Sequence, residues 1–313
     1  MKITIIGAGC GGPGCLTRAA EQALAQADLY IGAERLLAAL PGTYAAPRLA
    51  AVAAEEIALL IAAQPEGSHI CVLMSGDSGF YSGASRLLPA LQGYVVEVLP
   101  GISSMQLLAA RLQRSWQDWR LISAHGRDCA AVPLVRDHSA TFFLTGGAQT
   151  ATAICRSLLN AGFGDCRATV GENLGAAHER LVSRTVAELA GQSFAPLSVL
   201  LVENPAPRLI LSCGLPDQAF TRGETPMTKS EIRSVILSKL RLHSHAIVFD
   251  VGAGSGSVAV EAALLASEGT VYAIEREPEA CRLIEQNARR FATANLRLVA
   301  GEAPAALTGL PAP

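Results

Sequence analysis

The sequence predicts an α/β protein built as two units, and three observations carry that prediction. Alanine-rich stretches of helical length alternate with short β-branched runs as far as residue 203, the pattern of helices packed on largely parallel strands. Asn204-Pro205-Ala206-Pro207 and Gly214-Leu215-Pro216-Asp217 then break the alternation, as linkers do. Beyond them the apolar run Ala246-Ile247-Val248-Phe249 leads into Asp250-Val251-Gly252-Ala253-Gly254-Ser255-Gly256, a strand that ends in a glycine turn and opens a helix. The 313 residues suffice for about two domains. Half of them are apolar and 17% are charged, so a large core is available and disorder is not expected.

Taken in order, the first unit (residues 1–207) offers strands over 2–6, 28–31, 69–74, 95–99, 119–123, 141–144, 167–172 and 198–203. Each is a short run favouring β-branched, aromatic or other apolar side chains and bounded by turn-forming residues. Helices are expected over 17–26, 50–63, 83–91, 103–112 and 150–160; Thr17 has the hydroxyl to cap the first. Residues 208–223 read as linker. The second unit (224–313) reads helix 231–240, strand 246–250, glycine turn, helix 258–266, strand 270–275, helix 278–291 and strand 296–300. Thr228 followed by Glu231 is a capping-box pattern and predicts the start of its first helix.

Composition excludes several functions. Net charge is −2 and no long basic run occurs, which argues against nucleic acid as a partner. No apolar stretch has membrane-span length, and the N-terminus enters a strand at once, without the layout of a signal peptide. The eight cysteines include no C-x-x-C pair and no Cys/His set at zinc spacing. They read as reduced thiols in a cytoplasmic protein, and no metal is expected.

Two glycine turns follow strands. In the second unit, the run Val271-Tyr272-Ala273-Ile274 ends in Glu275. Glycines bring backbone N–H groups close to a ligand, and an acid at the end of the next strand accepts hydrogen bonds from ribose hydroxyls, so this turn predicts a nucleoside ligand. Near the N-terminus, Gly7-Ala8-Gly9-Cys10-Gly11-Gly12 satisfies G-x-G-x-x-G. A dinucleotide site needs a helix starting at those glycines, whereas Pro13 and Gly14 follow here and the next strand ends without an acid. The expectation is instead a loop that lets a flat substrate, or an unusual cofactor pose, lie against the backbone.

That loop is followed in order by Leu73-Met74-Ser75-Gly76-Asp77-Ser78-Gly79-Phe80-Tyr81, Pro100-Gly101-Ile102-Ser103-Ser104, Ser123-Ala124-His125-Gly126-Arg127, and Glu172-Asn173-Leu174-Gly175 with Glu179-Arg180. Together these segments resemble the tetrapyrrole methylase family, in its cobalamin-pathway branch that acts on precorrin-6Y, over about residues 1–205. From Pro226-Met227-Thr228-Lys229 onward the chain is similar to class I S-adenosylmethionine methyltransferases. The resemblance implies a two-lobed tetrapyrrole methylase domain followed by an incomplete Rossmann-like class I methyltransferase domain.

It also implies S-adenosyl-L-methionine as cofactor, a precorrin tetrapyrrole as substrate and a homo-oligomer. The implied reaction is C-methylation at ring carbons 5 and 15, with decarboxylation of the ring-C acetate. Carried over by motif, Cys10, Asp77, Phe80, Ser103 and Ser104 would line a donor cleft in the first unit. Thr228, Gly252, Gly254, Gly256, Glu275, Gly301 and Ala303 would serve the donor in the second. A substrate with acetate and propionate arms needs arginines, and Arg35 and Arg127 are the candidates. His125, with Arg127, is the candidate for proton handling, because histidine ordinarily titrates near neutrality. Asp77-Ser78 stands where many relatives have Asp-Pro, and Gly9-Cys10-Gly11 where many have Gly-Pro-Gly. Two other readings stay open: a methyltransferase acting on another precorrin, and a noncatalytic corrinoid-binding protein. A class I sheet has seven strands ordered 3-2-1-4-5-7-6, and residues 224–313 supply three. The expectation is therefore an open apolar edge on the first of these strands, weak donor binding there, and neither carbon-15 methylation nor decarboxylation.

Overall fold

Buried β-branched runs build the first lobe. β1 (Lys2–Gly7), β2 (Leu29–Gly32), β3 (Arg48–Ala50), β4 (His69–Met74) and β5 (Val95–Leu99) form a parallel sheet in the order β3-β2-β4-β1-β5. The intervening helices are α1 (Arg18–Ala25), α2 (Glu34–Ala39), α3 (Ala54–Ala62) and α4 (Ala84–Ala90). Side chains alternate along β1: Ile3 and Ile5 join Ile57 and Ile61 in one cluster, and Ile6 joins Leu24 and Leu36 in another. Apolar contacts on both faces are what a parallel sheet sandwiched by helices requires. Thr17 caps α1 by accepting from the Ala20 N–H at 3.2 Å. The computed structural model describes residues 1–10, 12, 14–125, 129–207 and 213–313.

α5 (Ser104–Leu112) leads into the second lobe, made of β6 (Arg120–Ser123), α6 (Ala131–Asp137), β7 (Ala140–Leu144), α7 (Ala151–Asn160), β8 (Arg167–Glu172), β9 (Arg180–Thr185), α8 (Val186–Leu189) and β10 (Ser198–Glu203). Its sheet order is β6-β7-β10-β8-β9. Here the expectation of largely parallel strands needs correction: β6 and β7 are parallel, but β7–β10, β10–β8 and β8–β9 are antiparallel. The short β8–β9 connection forces the reversal between those two strands, since a parallel pair needs a long crossover. The expected helix over 50–63 is also corrected: Ala50 closes β3, and the helix starts at Ala54.

The second unit has α9 (Ser230–Leu240), β11 (Ile247–Val251), α10 (Ser257–Leu265), β12 (Thr270–Glu275), α11 (Pro278–Arg290) and β13 (Leu296–Ala300), with a parallel sheet ordered β11-β12-β13. β11 is an open edge, and Val251 at its end is 54% exposed. The predicted cap of α9 is wrong. Lys229 is the N-cap and offers no side-chain bond; Asp217 instead accepts from the Ser230 N–H at 3.0 Å. Asp217 is itself held by Arg233 at 2.9 Å, and Arg233 is fully buried against Glu261 at 2.7 Å and lies over the Phe220 ring. This knot, with Phe220 packed near Phe291, ties residues 215–228 to the second unit. No helix of the described residues is long and apolar enough to cross a membrane.

Candidate functional site

The first site forms where the loops after β1, β4 and β5 meet at the carboxyl edge of the first sheet. Gly7 and Gly101 touch so closely that a Cβ on Gly101 would lie 2.3 Å from the Gly7 carbonyl oxygen. Gly9 and Gly76 exchange backbone hydrogen bonds of 3.0 and 2.6 Å. Asp77 ties the knot, its Oδ1 accepting from the Gly79 N–H and its Oδ2 from the Gly101 N–H, each at 2.9 Å. A carboxylate accepting two backbone N–H groups holds both loops in register. Ser103 is buried, and with Gln106 it forms a reciprocal capping box that starts α5 next to this knot; Ser104 is the first helical residue.

Cys10 lies half-buried in the first loop, its thiol pushed up to about 11 by burial, with Cys15 adding to the rise and Arg35 opposing it. It is a neutral thiol at physiological pH. Arg35 stands exposed on α2 and donates to Ser75 Oγ at 2.6 Å, at the same sheet edge. Phe80 is directed differently. Its ring packs at 4.8 Å from Tyr81 and 6.3 Å from Phe142 of the second sheet, so it joins the lobes together. His125, after β6, is exposed, and its ring lies against Gly146, where a Cβ would meet Nδ1 at 1.9 Å. Among the described residues, no hydrogen bond or ion pair joins His125 to Cys10, Asp77 or Arg35. Arg127 lies outside the described residues.

The second site surrounds the glycine turn after β11. Gly252, Gly254 and Gly256 have φ of 76°, 56° and 75°, a region that favours glycine. They face different ways. Nothing lies within 4 Å of a Cβ built on Gly252, one on Gly254 would meet the Pro226 carbonyl oxygen at 3.3 Å, and one on Gly256 would meet Ile284 of α11 at 2.9 Å. Gly252 thus edges the open side, Gly254 abuts the Pro226 backbone, and Gly256 lets α10 approach α11. Pro226 lies against the turn, and the Thr228 carbonyl accepts from Arg233.

Glu275 ends β12 and is 8% exposed. Oε2 accepts from the Gly254 N–H at 2.8 Å, and Oε1 accepts from the N–H groups of Arg276 at 2.8 Å and Glu277 at 3.0 Å. Burial alone would raise its carboxyl, but these bonds outweigh burial and hold it below the usual range. Gly301 N–H donates to the Glu275 carbonyl at 2.8 Å, placing the Gly301–Ala303 turn alongside, and Glu302 pairs with Arg276 at 3.0 Å. Asp250, behind the turn, behaves oppositely: burial pushes its carboxyl up, and its buried Oδ2 has no hydrogen-bond partner. An acceptor without a donor, beside a glycine turn and a strand-end glutamate, suits a ligand bearing N–H and O–H groups. No group of three or more potential metal-ligating side chains occurs among the described residues.

Sequence reasoning missed the contact of Gly7 with Gly101, the pairing of Arg111 with Glu179, and the Asp217–Arg233–Glu261 knot. Their partners are distant in sequence: Gly7, Gly101, Glu179 and Asp217 belong to segments that stood out, but nothing local pairs them with their partners, and Arg111, Arg233 and Glu261 lie outside such segments.

A family model described as Tetrapyrrole (Corrin/Porphyrin) Methylases matches residues 2–190, and one described as Precorrin methyltransferase domain matches residues 218–313. A curated precorrin-6Y C(5,15)-methyltransferase (decarboxylating) from Sinorhizobium sp is 33% identical over 319 residues, covering 99% of this chain and 76% of the relative. A cobalt-precorrin-6B C(15)-methyltransferase (decarboxylating) from Salmonella typhimurium is 51% identical over 94 residues, which is 30% of this chain and 49% of that relative. Among solved structures, a precorrin-6Y methylase from Archaeoglobus fulgidus has a TM-score of 0.51 at 21% identity, covering 65% of this chain and 98% of that one. A cobalt precorrin-4 methyltransferase has a TM-score of 0.55 at 23% identity, covering 64% of this chain and 94% of that one. These structural likenesses establish the two-lobed fold of the first unit.

Proposed function

Because the chain belongs to the tetrapyrrole methylase family, as a relative of the decarboxylating precorrin-6Y C(5,15)-methyltransferases, we propose that it methylates a precorrin-6Y-type tetrapyrrole in cobalamin biosynthesis. The first unit methylates carbon 5. The second supplies the donor-binding half of carbon-15 methylation, which in the family accompanies loss of the ring-C acetate carboxyl as carbon dioxide. The division follows the relatives: a protein named for carbon 15 alone matches over about the length of the second unit.

S-adenosyl-L-methionine, when bound, would supply an electrophilic methyl group to a ring carbon by in-line displacement at the methyl carbon, with the thioether sulfur as leaving group. The protein's part is to bind, orient and exclude water. In the first unit the loops around Cys10, Asp77 and Ser103-Ser104 form the donor bed, with Asp77 fixing the loops. Arg35 presents its remaining N–H groups to a substrate carboxylate, Arg127 is assigned a second carboxylate by its motif alone, and His125 takes the proton released from the methylated carbon. In the second unit Gly252 and Gly254 lie along the methionine part, Glu275 and Asp250 accept from ribose or ammonium groups, and Gly301 to Ala303 flank the adenine. Thr228 closes the near side. A second copy completes a homo-oligomer.

The observation that carries the reading is the pair of glycine-lined strand ends, one in each unit, each beside carboxylates that organise backbone N–H groups. Incubation with S-adenosylmethionine and precorrin-6Y, followed by mass spectrometry, tests it. Gain of one methyl group, lost in Gly101→Ala, is expected; an unchanged tetrapyrrole contradicts the proposal. Release of carbon dioxide reports decarboxylation separately.

A further inference from the structure

The segment between β8 and β9 reaches from the second lobe to the first glycine loop. Gly175 has φ +80°, and a Cβ there would lie 3.0 Å from Cys15 Sγ and 3.5 Å from Cys10 Cβ. A Cβ on Gly12 would fall 1.5 Å from the Gly175 carbonyl oxygen. Gly175 therefore forms a roof over the loop.

Two carboxylates hold this roof. Glu172, buried at the end of β8, binds Arg180 across the β8–β9 pair and accepts from the Ala195 N–H at 2.6 Å. Glu179 Oε2 accepts from the Gly175 N–H at 2.7 Å. The same carboxylate takes Arg111 in fork geometry, Nε at 2.6 Å and the second nitrogen at 3.2 Å. Arg111 is in the last turn of α5, and the first turn of that helix is fixed by Ser103 beside Gly101 and Gly7. The contacts close a circuit: β1 loop, Gly101, α5, Arg111, Glu179, Gly175 and back to the β1 loop.

We propose that the Arg111–Glu179 pair is a positioning latch for the methyl donor of the first unit, setting the height of Gly175 over Cys10, Gly12 and Cys15. This rests on the donor-site reading given above. Arg111 is 47% exposed in its side chain, and an ion pair so exposed adds little to stability. Its effect is transmitted through the Gly175 N–H, which no other described group accepts, so binding is where its loss is felt. The bidentate fork gives the pair directional stiffness that a single contact lacks.

Calorimetric titration with S-adenosylhomocysteine tests the latch, using protein that carries Gly254→Asp so that the heat reports the first unit. Glu179→Ala and Arg111→Ala are each expected to weaken binding roughly tenfold, with unchanged unfolding temperature, and the double variant to be no weaker than Glu179→Ala. Glu179→Gln, whose amide oxygen still accepts from Gly175 in the same space, is expected to lose less. Should the alanine variant fail to fold, this isosteric one keeps the test open. Parental affinity in Glu179→Ala, losses that multiply in the double variant, or Glu179→Gln no better than alanine each overturn the latch. Absence of binding in the parent overturns the donor-site reading, and the latch with it.

Discussion

The two glycine turns start from the same sequence device and end in different structures. In the first lobe, glycine serves contact between loops: Gly7 meets Gly101, Gly9 pairs with Gly76, and Gly12 meets Gly175. In the second unit, three glycines with positive φ lie within five residues of one turn, and the tightest approach among them, Gly256 to Ile284, is to a helix side chain and not to another loop. The carboxylates differ accordingly. Asp77 has both oxygens engaged between loops, whereas Asp250 keeps a buried oxygen without a donor. A glycine signature after a strand thus specifies close backbone approach; what approaches, another loop or a ligand, is decided by the partners the fold brings there.

The largest effect that separates the two regions is expected at Arg233. It is fully buried between Asp217 and Glu261, and removing one member of a buried ion pair costs about 3–5 kcal/mol. Arg233→Ala should lower the unfolding free energy of the second unit, read from urea titration, by that much, while first-unit S-adenosylhomocysteine binding survives. Loss of both together would show that the units are not energetically separable.

Gly101→Ala comes next. Its new methyl group would sit 2.3 Å from the Gly7 carbonyl oxygen, and overpacking of this kind costs about 1–3 kcal/mol. Donor binding in the first unit should disappear and that in the second remain, as read by calorimetry. Wild-type binding would mean the loop knot does not shape the site.

A smaller effect concerns the two carboxyls of the second unit, whose shifts oppose each other. Glu275 is held below its ordinary range, so its contribution is present above the unfolded value and fades as pH falls through the lower folded value. Asp250 is pushed up by burial, so its contribution is full below the unfolded value and is lost as pH rises through the folded value. Asp250→Asn should therefore stabilise the second unit at neutral pH, with the gain shrinking on acidification. Thermal melts of the variant at neutral and acidic pH check this; a gain that grows in acid would reverse the assignment. The smallest effect is at Cys10, whose thiol is pushed up to about 11 by burial. Its alkylation at mildly alkaline pH should be far slower than that of a free cysteine, and rapid labelling would place it in an exposed, activated setting.

The comparison also explains what the sequence disclosed. Strands buried in the sheets, such as His69–Met74 and Ser198–Glu203, appear at their observed bounds because continuous apolar runs leave no other place for them. Two edge strands did not: Arg48–Ala50 is three residues long, and Arg180–Thr185 alternates weakly with two arginines, whereas the edge strands Val95–Leu99 and Leu296–Ala300 stood at their expected bounds. The cap within one turn was legible at Thr17. The same logic failed at Thr228, because Asp217 supplies the acceptor from outside the helix. In the candidate site, the glycines and Glu275 announced themselves locally. Arg111 did not, since its partner is 68 residues away.

The central claim is that one chain holds two independent methyl-donor sites, and titration of S-adenosylhomocysteine into wild type, Gly101→Ala and Gly254→Asp tests it most directly. The account predicts two sites in wild type, the tighter lost only in Gly101→Ala and the weaker only in Gly254→Asp. Loss of the tighter site in Gly254→Asp, or no binding by the wild type, would contradict it.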